Sequence, residues 1–169
     1  MATTAGERES SLWVIMLTFA VAMLFSVVSL PEFIPWQLGY LRPQWVELVL
    51  IYWIMALPHR VGIFSAWVLG LFVDVLTGSL LGQHGVAFII VAYITSSLYQ
   101  RLRMFAVWQQ SLIIFVTIGI SQLVNFWVEN FVGLSQWDMR FLLSALVSAM
   151  LWPWVFLVLR HLRRLFNVS

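Results

Sequence analysis

Several acidic and amide side chains of this sequence lie in apolar company. Asp74 stands in Val73-Asp74-Val75 and Glu47 in Val46-Glu47-Leu48. Gln122, Asn125 and Glu129 recur at three- and four-residue spacing, which on a helix makes one polar stripe. Carboxylates embedded in such runs either move protons or substrates, or tie helices together through ion pairs and hydrogen bonds. Arg42 and Arg140 are the basic partners the pattern suggests for a structural network. His84 falls in Gly82-Gln83-His84-Gly85, where glycines supply the positive φ that a tight turn often requires. A metal site would need several such ligands together, but His59, His84 and His161 are spread along the chain, and the absence of Cys removes thiolate chemistry. No GxSxG, HExxH or phosphate-cradling P-loop is present. No catalytic, cofactor-binding or metal-binding residue is therefore expected.

The elements that must position these groups are dictated by composition. Of the 169 residues, 62% are hydrophobic and 9% charged, the charges being nine Arg and seven acids. A soluble domain needs about a quarter of its residues charged to coat its surface, so the solvent of this chain is lipid. Long apolar runs cover 12–30, 44–57, 61–81, 85–99, 107–132 and 141–159. They predict a single all-α membrane domain of six transmembrane helices. The first run is kept as a span because Glu7-Arg8-Glu9 lacks the positive leader of a signal peptide. The second, bracketed by Pro43 and Pro58, gives roughly 21 Å of helix against a hydrocarbon core near 30 Å, so it spans short or re-enters.

Arginine placement bears on orientation. With six crossings and an inner N-terminus, Arg8, Arg60, Arg101, Arg103, Arg160, Arg163 and Arg164 lie inside, against Arg42 and Arg140 outside. A re-entrant second segment exchanges Arg8 for Arg42 and keeps the same ratio. Both arrangements place the C-terminus in the cytoplasm, with the basic inner segments offered to cytoplasmic proteins or to anionic lipid. Nothing in this pattern suggests nucleic acid. Trp36, Tyr40, Trp45, Trp108 and Trp137 sit near span ends, where amphipathic rings prefer the headgroup level, whereas Trp67 and Trp127 lie within runs and are expected to pack inside.

The third run carries Gly62, Ala66, Gly70, Asp74, Gly78 and Gly82 at intervals of four, a ridge that lets another backbone approach closely. Its seat is either a helix of the same chain or a partner's transmembrane helix, and Gly78→Leu is expected to hold helices apart. In the sixth run Pro153 removes a backbone donor and predicts a kink, and Ser144 and Ser148 are placed to bond back to carbonyls or across to a neighbour.

Taken together, Arg42-Pro43-x-Trp45, the block Tyr52 to Val61 with its Leu57-Pro58-His59-Arg60, the Gly70-x3-Asp74-x3-Gly78-x3-Gly82 series, Trp108-Gln109-Gln110 and Leu151-Trp152-Pro153-Trp154 resemble the rod shape-determining MreD family of Gram-negative bacteria. The resemblance runs nearly end to end. It implies a non-enzymatic inner-membrane scaffold of the cell-elongation machinery that supports lateral peptidoglycan synthesis. The implied associates are MreC, directly, and MreB, a RodA-type glycosyltransferase and a class B transpeptidase in the same complex. It also implies a six-helix arrangement like that of the substrate-capture components of energy-coupling-factor transporters, which keeps a small-molecule-binding component as the alternative.

Overall fold

A computed structural model describes residues 3–27, 42–133, 141–166 and 168. Among them the chain is all-helical, with six helices: α1 (Thr3–Val27), α2 (Trp45–Ala56), α3 (Ile63–Thr77), α4 (Gln83–Met104), α5 (Val107–Phe131) and α6 (Phe141–Leu165). Three helices, Gln83–Met104, Val107–Phe131 and Leu142–Leu165, are long and apolar enough to cross a membrane. Trp36, Tyr40, Trp137 and Arg140 lie outside the described residues.

The surface is unlike that of a water-soluble domain, and several polar groups join the apolar core. Phe131 is 90% exposed, and Trp13, Phe64, Trp108 and Trp154 are also turned outward, while Glu47, Asp74, Gln110, Ser121 and Ser148 are buried. Polar groups gather inside because hydrocarbon offers them no hydrogen bonds, and apolar side chains face out because lipid does not penalise them. Trp67 and Trp127 depart from the expectation of internal packing, being exposed on α3 and α5. Lipid accepts an indole as readily as a protein interior does, so a tryptophan within an apolar run does not reveal its direction.

At the centre lies α2, buried from Val46 to Ala56. It packs against α1, α4 and α6; around it α3 pairs with α4, and α5 lies between α4 and α6. Twelve residues make roughly 18 Å of helix, too short for the hydrocarbon core. Because it is lined by protein, its length need not match the bilayer. Its ends are satisfied by neighbours. Ser148 Oγ accepts from the Gln44 backbone N–H at 2.8 Å, Ser144 Oγ accepts from the Gln44 side-chain amide at 3.1 Å, and Ser144 also donates to the Arg42 carbonyl at 2.6 Å. Ser148 bonds back to the Ser144 carbonyl as well, so the two serines of α6 use both options open to them.

At the other end of α2, Arg103 of α4 reaches back, donating from Nε to the Met55 carbonyl at 2.7 Å and from Nη2 to the Ala56 carbonyl at 2.9 Å. These oxygens belong to the last turn, which has no helical donors left, and the guanidinium also opposes the partial negative charge of the helix end. Sequence reasoning expects Arg103 among the cytoplasmic basic residues; the fold gives it this structural task. Arg103→Gln should destabilise the detergent-solubilised protein by about 1.5–3 kcal/mol, the usual worth of hydrogen bonds from a charged group. Arg103→Lys should recover part of that loss, since an ammonium keeps the charge without the two-pronged fork. Thermal unfolding of the three proteins checks the order.

The Pro153 position lies within α6, which continues through it to Leu165. Trp152 beside it is buried, and its indole N–H donates to Gln110 Oε1 at 3.0 Å. The Gln110 amide donates in turn to the Leu102 and Phe105 carbonyls at 2.9 and 3.2 Å, locking the α4–α5 corner.

Candidate functional site

The buried acids collect at one end of the bundle, where α2 and α4 begin and α3 and α5 end. Helix α3 stops at Thr77, and Gly78 caps it with φ 67°, its N–H returning to the Asp74 carbonyl. Four residues on, Gly82 starts α4 with φ 95°. A side chain is disfavoured at both angles, so these glycines make a reversal that swings the start of α4 over Asp74.

The carboxylate of Asp74 is the centre of the reversal. Its Oδ1 accepts from Ser79 Oγ at 2.9 Å, from the His84 backbone N–H at 3.0 Å and from His84 Nδ1 at 2.7 Å. Its Oδ2 accepts from the Gly82 N–H at 2.7 Å. An ionised carboxylate only accepts, so Nδ1 is the nitrogen that carries the proton. Asp74 is 1% exposed, and its His84 contact is the ion-pair geometry found among the described residues. Enclosed in this way, the charge is compensated by four donors, the condition for holding a carboxylate inside a membrane protein.

Ser79, His84 and Asp74 thus meet in space, a grouping whose catalytic potential can be judged by geometry. In a serine nucleophile relay the hydroxyl gives its proton to one imidazole nitrogen while the acid holds the other. Here Ser79 donates to the acid itself, and its oxygen lies 3.3 Å from the same Nδ1 that Asp74 occupies. The hydroxyl proton is committed to the carboxylate, and Nε2 is not the atom it meets. This is a clasp that closes the α3–α4 hairpin.

Within the chain, the glycine series is in close contact at its inner members and open at its outer ones. A Cβ on Gly62, Gly78 or Gly82 would meet nothing within 4 Å, so these positions make no close contact with another helix of this chain. Gly62 precedes α3, where Ser65 Oγ bonds both its N–H and its carbonyl. The close approach is at Gly70, where a Cβ would lie 2.5 Å from Gly85 Cα and 2.7 Å from the His84 carbonyl carbon. Ala66, fully buried, sits one turn before it. The four-residue interval persists beyond the helix because the same residue type serves two needs, close packing at Gly70 and positive φ at Gly78 and Gly82.

Of the expected basic partners Arg140 lies outside the described residues, and the bonds to Glu47 and Glu129 found among the described residues come from neutral groups. Glu47 Oε1 accepts from Ser121 Oγ of α5 at 2.7 Å, and Glu129 Oε1 accepts from the Gln83 amide at 2.8 Å. Arg42 is exposed and supplies its carbonyl to Ser144. Such neutral donors can be buried without a second desolvated charge. Of the α5 stripe, Asn125 is buried, while Gln122 and Glu129 are half-buried at its margin. Glu47 Oε2 and Asn125 Oδ1 are buried without a hydrogen-bond partner among the described residues. Two cavities, one of about 410 Å³ and one of about 310 Å³, include neither Gln122, Asn125 nor Glu129 in their walls. Arg60 and Arg101 lie at the opposite end with Arg103, Arg160, Arg163 and Arg164.

Residues 7–162 match the family model described as rod shape-determining protein MreD. The protein named rod shape-determining protein MreD from Haemophilus influenzae is 36% identical over 148 residues, which covers 86% of this chain and 91% of that relative. No solved structure matches. A match of this extent, on a helical chain whose polar groups are turned inward, shows that the chain belongs to the MreD family of rod shape-determining membrane proteins.

Proposed function

We propose that the protein is a non-enzymatic scaffold of the cell-elongation complex in the inner membrane, binding MreC directly and supporting lateral peptidoglycan synthesis alongside MreB, a RodA-type glycosyltransferase and a class B transpeptidase. Its role in rod shape follows from the family; the scaffold assignment rests on how the polar groups are used. Asp74, the most heavily bonded acid, has its acceptors taken up by the chain's own donors. What the bundle offers outward is apolar helix surface, including Trp154, Leu157 and Val158 of α6. Such a surface suits a partner's transmembrane helix, with van der Waals packing as the adhesive. The arginine bias supports a cytoplasmic C-terminus, which sets the ends of α4 and α6 against the cell interior.

Co-purification in mild detergent tests the reading. The chain should retain MreC, and cells deprived of the chain should lose rod shape. Failure of the two to associate, together with rod-shaped depleted cells, would reject the scaffold.

A further inference from the structure

The end of the bundle opposite the Asp74 clasp has a different character. Because α2 stops at Ala56 while α4 and α6 continue, a recess of about 410 Å³ remains beneath it. That volume lies within the roughly 300–1,000 Å³ of small-molecule pockets. Arg103, Arg160 and Arg163 converge on its wall with Tyr52, Gln110 and Phe156, and among the described residues no carboxylate side chain lines it. We infer that this recess binds a phosphate group.

Arg103 and Arg163 are held in place by hydrogen bonds without exhausting their donors. Arg103 spends two of its five N–H groups on the Met55 and Ala56 carbonyls. Arg163 donates from Nε to the Val168 carbonyl at 3.1 Å and lies close to the Tyr52 hydroxyl. The Arg160 guanidinium stands 6.0 Å from the centre of the Phe156 ring. Tyr52 is buried and packs edge-on against Phe156 at 5.9 Å, so the floor beneath the charges is apolar and firm. Three guanidinium groups from two helices, gathered with no acidic side chain among the described lining residues, create a strongly positive concavity, and their planar forks match the several oxygens of a phosphate. One carboxylate would satisfy a single fork; a tetrahedral anion can engage three.

This site goes beyond the scaffold role and does not depend on which protein is the partner. Two sources carry the required anion: the phosphodiester of an anionic phospholipid reached from the adjoining leaflet, and soluble inorganic phosphate. Purified full-length protein in zwitterionic detergent is titrated at fixed ionic strength with short-chain phosphatidylglycerol and, separately, with inorganic phosphate, following thermal unfolding and native mass. At least one probe should bind and raise the unfolding temperature. Arg160→Gln combined with Arg163→Gln should weaken its apparent affinity by roughly tenfold or more, as expected for lost charge-assisted bonds. The charge-matched pair Arg101→Gln with Arg164→Gln, outside the recess, should leave the affinity unchanged. Should the double variant fold poorly without any probe, Arg160→Gln alone carries the test.

Binding of the lipid alone identifies a headgroup site, and displacement of lipid by inorganic phosphate identifies a site for the free ion; both uphold the inference. Equal weakening by the two pairs would reduce it to diffuse surface charge and overturn it. So would the failure of both probes, or binding of a polyglutamate peptide in their place.

Discussion

Asp74→Ala should cost about 3 kcal/mol or more, since each buried donor left without its acceptor costs roughly 1–3 kcal/mol. The loss is large because the carboxylate serves four donors at once, from Ser79, Gly82 and twice from His84. Alanine leaves two backbone N–H groups and a half-buried imidazole without their acceptor, at a place where lipid cannot replace it. Asp74→Asn should fall between. Its carbonyl oxygen can take the Oδ1 position with three donors, but its amide then points N–H groups at the Gly82 N–H. Thermal unfolding in detergent should give the order wild type, Asn, Ala, and the Ala variant should accumulate poorly and fail to restore rod shape. Equal unfolding temperatures would remove the clasp from the account. His84→Ala should be milder than Asp74→Ala, because its backbone donor to Asp74 survives.

Gly70 should show the second large effect. A single methyl there would sit 2.5 to 2.7 Å from the backbone of Gly85 and His84. Side chains yield to an intruding atom by changing rotamer, but here the obstacle is main chain, and α3 and α4 must separate. Gly70→Ala should therefore fall at or above the top of the roughly 1–3 kcal/mol range for overpacking, and Gly70→Val should be worse. Gly85→Ala should do less, since its nearest obstacle is the Trp67 ring at 3.2 Å, a side chain with exposed surface. Gly78 gives the contrast. It has open space but φ 67°, so Gly78→Ala should carry only the strain of the left-handed conformation, roughly 1–2 kcal/mol. Gly78→Asn, a residue that tolerates this conformation, should recover much of that loss. A measured penalty at Gly78 equal to that at Gly70 would contradict the packing described.

These two positions also show which features sequence could reveal. The all-helical character was legible because lipid imposes long apolar runs with internally satisfied backbones, a constraint that few folds escape. The shortness of α2 was legible from Pro43 and Pro58. The end of α3 was not. Leu80 and Leu81 extend the apolar run past Thr77, and in a membrane protein no polar residue need mark where a helix stops. A four-residue series of small residues then looks continuous although only part of it is helical. The meeting of His84 with Asp74 depends on that hidden turn, so the pair was visible as two residues and not as a contact. Arg103 was concealed for a different reason: its partners are carbonyls, which every residue possesses and no sequence pattern distinguishes. The neutral partners of Glu47 and Glu129 were missed because charge suggests opposite charge, whereas burial favours a donor that brings no second ion.

The enclosure of α2 also bears on the making of the protein. Synthesis runs from the N-terminus, so this segment leaves the ribosome before α4, α5 and α6 exist, and two of its walls, α4 and α6, are unavailable when it first meets the insertion machinery. Its apolar residues carry it into lipid with only Glu47 against them, and it is a guest of the bilayer until the later helices arrive to surround it. The innermost part of the finished protein is thus among the earliest made and the last to be sheltered. A nascent chain ending before α4 lacks the Arg103 fork and the serine pair that close the two ends of α2.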